Sequence, residues 1–341
     1  MKSLIQKAIS RRDLTSEEAA DGMTQIMEGT ATPSQIAALA VALRMKGETV
    51  EEITGFAKVM RDFAIQVPVK TDKVIVDTCG TGGDSLKTFN ISTTAAIVVA
   101  ATGLVAVAKH GNRAATSKCG SADVLEALGV KLELPPQQIG RCVEDVGIGF
   151  LYARQMHPAL KFAALPRAEI GTRTFFNILG PLTNPAGAKV QLIGVNDPSL
   201  CDLLARVLRN LGSERAIMVH GVHGLDELST LGETQISELK DGFINSYVLD
   251  ADAELGLPQV SVESLAAGEN AAENAAIVQA ILNGTDTGPK LDIVALNAAG
   301  VLSVAGVVAN LAEGLDVART TIASGAASVT LNRLVQFTNA A

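Results

Sequence analysis

Four segments of the chain combine residue types and spacings that can do chemistry. The first is Asp77-Thr-Cys-Gly-Thr-Gly-Gly-Asp84, with three glycines directly behind a short apolar run. Glycine lets a chain turn tightly and bring its N–H groups against a ligand. Asn90-Ile-Ser-Thr93 follows and supplies hydroxyls where a helix begins. A helix start offers unpaired N–H groups and the positive end of the dipole, so the two segments together read as a phosphate site. The loop is neither GxGxxG nor a Walker loop, because no Gly-Lys-Ser/Thr follows. The second segment is Lys109-His-Gly-Asn-Arg113, followed by Ala-Ala-Thr-Ser-Lys118. Its cations are interleaved with Gly, Asn and hydroxyls, unlike a plain solvated charge run. The third is Gly224-Leu-Asp226-Glu227-Leu-Ser229. Adjacent carboxylates behind a strand can hold a hard cation such as Mg²⁺, which bridges to ligand phosphates. The fourth runs from Met156-His-Pro158 through Leu165-Pro-Arg167 to Arg173-Thr-Phe-Phe-Asn-Ile-Leu-Gly-Pro-Leu-Thr-Asn-Pro185. Arginine's planar fork suits a carboxylate. The Gly-Pro-Leu-Thr-Asn-Pro tail reads as a rigid connector that could serve as a hinge.

These residues need elements to hold them. The first ~65 residues read as successive helices. Thr15–Glu18 and Thr49–Glu52 are capping boxes, and Thr32-Pro33 is an N-cap with Pro at the first helical position. Beyond them the pattern alternates. Strands are expected at 73–77, 104–108, 190–195 and 216–220, with helices at 92–101, 122–128, 198–211 and 271–282. Residues 292–296 read as a further strand and the last ~30 residues as helical, while 241–274 are weakly informative. Alternating strand and helix implies crossovers around a mainly parallel sheet, whose strand ends converge on one crevice. The fold class is therefore α/β: a small all-helical N-terminal domain, residues 1–68, and a larger α/β domain, residues 69–341, with a central mainly parallel sheet.

The chain has 341 residues, 48% hydrophobic and 19% charged, which supports a substantial packed core. The net charge of -8 argues against general nucleic-acid binding. An acidic protein that takes an anion must concentrate cations, N–H groups or metal in one place. The four cysteines show no CxxC spacing, so a reduced, cytoplasmic protein is expected. Met1–Glu18 lacks a secretory leader's apolar stretch. The uncharged stretches 89–108 and 293–312 are broken by polar residues or glycine and fit buried elements better than a membrane span.

Taken together, the chain resembles the anthranilate phosphoribosyltransferase family of tryptophan biosynthesis. The resemblance is carried, in the family's order, by GTGGD (80–84), TFNIST (88–93), KHGNR (109–113), GSADVLEALG (120–129), RTFFNILGPLTNP (173–185) and GLDELS (224–229). It implies a homodimer, a segment near 160–185 that returns to the helical domain, and a site in the interdomain cleft. It implies that phosphoribosyl pyrophosphate (PRPP) is bound by Gly80, Gly83, Asp84, Thr88, Asn90, Ile91, Ser92, Thr93, Lys109, His110, Gly111, Asn112, Arg113, Thr116, Ser117 and Ser121. Mg²⁺ would be held by Ser92, Asp226 and Glu227, and anthranilate by Gly80, Asn112, His157 and Arg167. Thr116 and Cys119 stand where the family often has Ser. The expected reaction displaces pyrophosphate from the ribose by anthranilate's neutral amine. Positioning and electrostatics should carry it without a strong acid or base. His110 is the one candidate for a late proton, with shaping of the pocket the favoured role. Two other readings stay open: a pyrimidine nucleoside phosphorylase-like enzyme, and a non-catalytic phosphometabolite binder.

Overall fold

A computed structural model describes residues 1–84, 86–114 and 118–341. Helices α1 (Lys2–Ile9), α2 (Ser16–Met27), α3 (Pro33–Lys46) and α4 (Val50–Asp62) come first. The last three start on full capping boxes, at Thr15/Glu18, Thr32/Gln35 and Thr49/Glu52. Glu52 does more than cap. Its buried carboxylate also accepts from the Leu14 N–H at 2.8 Å and pairs with Lys46 at 3.1 Å, tying α4 to α3 and to the loop before α2.

Next come β1 (Ile75–Gly80), α5 (Ile91–Ala101), β2 (Ala106–Gly111), α6 (Ser121–Ala127), α7 (Pro136–Val146) and β3 (Ile148–Tyr152). Helices α8 (Ala153–Met156), α9 (Lys161–Ile170) and α10 (Phe176–Leu179) lead into β4 (Val190–Gly194), α11 (Ser199–Asn210) and β5 (Arg215–Gly221). The chain ends with β6 (Thr234–Lys240), β7 (Phe243–Leu249), α12 (Ala251–Leu255), α13 (Ala271–Leu282), α14 (Pro289–Ala305), α15 (Leu311–Ala323) and α16 (Ala326–Ala340). The strands form one sheet in the order β3-β2-β1-β4-β5-β6-β7. The first five pair in parallel, and β6 and β7 add on antiparallel. The order reverses direction between β1 and β4, so the loops leaving those strands diverge and open a crevice at their C-terminal ends.

Both sheet faces are covered. On one, α5 and α14 lie against the strands with α15 and α16 outside them, which explains why α5 is apolar all round. On the other, α4 and α11 share a core with the aromatic pair Phe175 and Phe176. Helix α9 packs on α3 and α2.

The expectations at 73–77 and 104–108 place the strands too early. β1 and β2 run on to Gly80 and Gly111 because both have full-length parallel partners. Lys109, His110 and Gly111 are thus strand residues, not loop residues. The strand expected at 292–296 is instead part of α14, which starts on Pro289 and ends at the left-handed Gly306. That helix is buried on nearly all sides, so its sequence shows no helical period. Residues 241–274 contain β7 and α12, and β3 and β6 lie outside the strands expected from sequence.

Candidate active site

At the ends of the parallel strands the four segments meet. Asp226 and Glu227 follow β5, and Asp226 lies against the ends of β1 and β4. A side chain at Gly80 or Gly194 would overlap Asp226, so glycine at these strand ends makes its seat. The Asp226 carboxylate accepts from the Gly82 N–H at 3.0 Å, and Glu227 accepts from the Ser92 N–H at the start of α5, also at 3.0 Å. The carboxylate pair therefore touches both anion motifs directly. The segment is pinned from behind by Asn297 in α14, which accepts from the Leu228 N–H and donates to its carbonyl, each at 2.9 Å.

The electrostatics are unbalanced. Burial raises the Asp226 carboxyl to about 6, with the Asp84 charge adding to it. Burial and the neighbouring Asp226 raise Glu227 as well. Asp84, raised by its own burial, accepts from the Lys87 N–H at 3.2 Å and the Thr88 hydroxyl at 3.1 Å. Three carboxylates crowd together, Glu227 buried and Asp84 and Asp226 half-buried. The nearby cations are Arg173, which attracts Asp226, and Lys109, which attracts Glu227. Hard oxygen donors with an excess of negative charge are what a divalent cation needs. Among the described residues no group of three or more His, Cys, Asp or Glu converges as a ready-made metal cage. A bound ion would thus complete its shell with hydroxyls, water or ligand oxygens.

Lys109 is buried in β2 and donates to the Thr78 carbonyl at 2.7 Å. Beside it lies Asp77, fully buried, which accepts from the His110 N–H at 3.1 Å and from Asn184 at 2.8 Å. Asn184 also donates to the Ala108 carbonyl at 2.8 Å, so the connector is stapled to β1 and β2. The His110 Nδ1 lies 3.1 Å from the Gly180 carbonyl, which can only accept, so Nδ1 carries the hydrogen. Its Nε2 is left buried as an acceptor with no hydrogen-bond partner among the described residues. His157 is 5.2 Å away between ring centroids, and neither of its ring nitrogens has a full hydrogen bond among the described residues, though the Thr183 backbone favours its charged form. Burial pushes the two rings down to about 3 for His110 and about 4 for His157.

Arg167, half-buried on α9, stands 5.3 Å over the Phe176 ring. Among the described residues no carboxylate pairs with it, and burial lowers its pKa. Around the second motif, Asn90 donates to the Cys119 carbonyl at 3.1 Å, the Ser121 hydroxyl donates to the Asn112 carbonyl at 3.2 Å, and Thr93 is buried in α5. Arg113 points away from the strand ends to Asp123 and Glu126, at 3.0 and 2.8 Å. Thr116 and Ser117 lie outside the described residues. Asp77, Arg173 and Asn184 lie in the motif segments but carried no individual role there, and Asn297 was not singled out from sequence. Asn297 had a signal, a lone amide in the apolar run DIVALNAAGVL.

An anion loop, an adjacent carboxylate pair at the strand ends and a helical layer packed on one sheet face fit a group-transferring α/β enzyme. The glycosyl transferase family's helical bundle domain matches residues 2–64, and its a/b domain matches residues 72–328. An anthranilate phosphoribosyltransferase of Symbiobacterium thermophilum is 52% identical over 99% of this chain and 98% of its own. One from Moorella thermoacetica is 53% identical over 98% of this chain and 97% of its own. The crystal structure of the Thermus thermophilus enzyme superposes with a TM-score of 0.92 at 45% identity, covering 98% of this chain and 99% of that one. The Saccharomyces cerevisiae enzyme, in complex with PRPP and Mg, superposes with a TM-score of 0.89 at 27% identity over 99% of this chain and 98% of that one. The chain belongs to the anthranilate phosphoribosyltransferase family.

Proposed function

We infer that this chain transfers the phosphoribosyl group of PRPP to the amine of anthranilate, giving N-(5-phosphoribosyl)anthranilate and pyrophosphate, the second step of tryptophan biosynthesis from chorismate. The observation that carries this reading is the Asp226–Glu227 pair, hydrogen-bonded to the N–H groups of both anion motifs. PRPP is assigned to the loop Gly80–Asp84, to Thr88 and Asn90–Thr93, and to Lys109–Arg113, Thr116, Ser117 and Ser121. Of these, Arg113 is occupied by Asp123 and Glu126, so its side chain is the weakest member of the set. Mg²⁺ is assigned to Ser92, Asp226 and Glu227. When bound, it neutralises charge on the pyrophosphate as the ribose bond breaks.

The chain's own groups position the acceptor. Arg167 is a half-buried cation suited to the carboxylate of anthranilate, and Gly80, Asn112 and His157 are assigned to the same substrate. The His110 Nε2 lone pair is suited to accept from the amine. A ring held neutral down to about 3 is a weak base, so orientation is its main contribution. Residues 1–68 are read as a helical domain, joined by the returning segment 160–185, against the α/β domain 69–341. The packing of α9 on α3 supports that division. We further assign a homodimer in the cytoplasm. Among the described residues no helix is long and apolar enough to cross a membrane. The test is loss of anthranilate fluorescence with PRPP and Mg²⁺. Phosphate-dependent cleavage of a pyrimidine nucleoside, with anthranilate left untouched, would favour the phosphorylase reading instead.

A further inference from the structure

The reading above leaves one cation at the strand ends without a task. Arg173 donates from Nη2 to the Thr81 carbonyl at 3.0 Å, so it lies on the anion loop itself. Its Nη1 occupies the space a side chain at Gly83 would need. It is half-buried, and among the described residues no carboxylate forms an ion pair with it. Asp226 attracts it across the loop while Arg44 of α3 repels it. A guanidinium carries five N–H donors in a rigid fork. One is committed to a neutral carbonyl, and others remain beside Gly83.

Arg173 is also rooted elsewhere. Two residues on, fully buried Phe175 stacks on Phe56 of α4 with centroids 4.3 Å apart, and on Phe176 at 4.2 Å. Phe176 is the ring beneath Arg167, at 5.3 Å. The backbone that carries Arg173 therefore moves with the helical layer, while its guanidinium rests on the loop after β1. Few side chains are placed to sense both.

We propose that Arg173 is a clamp for the pyrophosphate group of PRPP, one that ties occupation of the Gly82–Gly83 loop to the position of the helical layer and of Arg167. The inference rests on the assignment of that loop to PRPP. On binding, the fork exchanges the Thr81 carbonyl for phosphate oxygens, a charged and bidentate pairing in place of a neutral one. Negative charge on pyrophosphate grows as the ribose C–O bond breaks, so the clamp strengthens toward the transition state. Through Phe176 it also settles the ring under Arg167, so the donor site prepares the acceptor site.

The test uses Arg173→Gln and Arg173→Lys in the full chain. Mg²⁺–pyrophosphate is titrated by calorimetry, alongside steady-state kinetics and thermal melts. Arg173→Gln should weaken pyrophosphate binding about tenfold to a hundredfold, the scale of a lost charged hydrogen bond. It should lower kcat and raise the KM for PRPP, with a melting temperature close to the parent's. Arg173→Lys, with its charge but no fork, should recover part of the affinity. Pyrophosphate affinity within twofold of the parent in both variants would overturn the clamp and leave Arg173 as a brace for Thr81. A parent that binds pyrophosphate through Arg173 but does not consume anthranilate would sink the acceptor assignment and leave the clamp standing.

Discussion

Arg167→Ala separates the acceptor assignment from a structural role, because the two predict opposite balances. Arg167 is half-buried above Phe176, with no carboxylate partner among the described residues. Burial already disfavours its charge. The fold thus holds a cation that is partly desolvated before any ligand arrives. A carboxylate docking there gains a charged hydrogen bond, about 1.5–3 kcal/mol, or roughly 10- to 150-fold in affinity. Removing the side chain forfeits that gain and also a cation–π contact of about 0.5–1 kcal/mol. It simultaneously removes a half-buried charge, which offsets part of the loss in stability. The expected result is a large rise in the KM for anthranilate, little change for PRPP, and a melting temperature within a few degrees of the parent. Aniline, which lacks the carboxylate, should be a poor acceptor for the parent and nearly indifferent to the substitution. The assay is anthranilate fluorescence at saturating PRPP and Mg²⁺, with thermal melts in parallel. Equal rises for both substrates, or a steep fall in melting temperature, would refute the reasoning and make Arg167 a support for the helical layer.

Replacing Asp226 with Asn and Glu227 with Gln keeps size but removes the crowded charge. Activity and its magnesium dependence should collapse while the metal-free melting temperature rises, and an unchanged magnesium requirement would sink the metal assignment. Gly83→Val meets a left-handed backbone, φ 85°, and the Arg173 guanidinium, so PRPP affinity should fall without unfolding. Calorimetry showing parental affinity would reduce the loop to a turn. His110 and His157 are neutral in the folded chain down to about 3 and about 4, against 6.5 when unfolded. The unfolded state therefore binds more protons in that window, so stability is full above 6.5 and falls as the pH drops through it. At pH 5 each ring should cost about 2 kcal/mol. Urea midpoints at pH 7 and pH 5 should show the drop, and a His110→Gln/His157→Gln variant should lose most of it. An equal drop in that variant would place the acid sensitivity elsewhere.

Local signals were read well where the physics is local. The capping boxes at Thr15 and Thr49 and the N-cap at Thr32 depend on a few adjacent residues, and all three formed, Thr32 as a full box with Gln35. Helix 271–282 begins and ends where its sequence pattern does. What failed depends on partners far along the chain. The end of β2 is set by its register with β3, Lys109 against Phe150, and no window around residue 109 contains that information. Helix α14 lost its period because neighbours from both halves of the α/β layer surround it. In the site, the residues that carry charge could be picked out by type. Those that hold them in place could not. Asp77 and Asn184 are 107 residues apart, and Leu228 and Asn297 are 69 apart.

The seat of Asp226 has a consequence for how the loop breathes. The Gly82 amide is held by Asp226, the Ser92 amide by Glu227, and the next residue, Leu228, by Asn297 in the middle of α14. A loop after a strand is ordinarily among the first places a protein opens. Here, lifting the loop off Asp226, or Asp226 off Gly194, disturbs a chain of bonds that ends in a helix buried along most of its length. The amide protons of Gly82 and Ser92 should therefore exchange with solvent on the slow clock of α14 and not on the fast clock of a surface turn. Substitutions in α14 far from any ligand would quicken that exchange first.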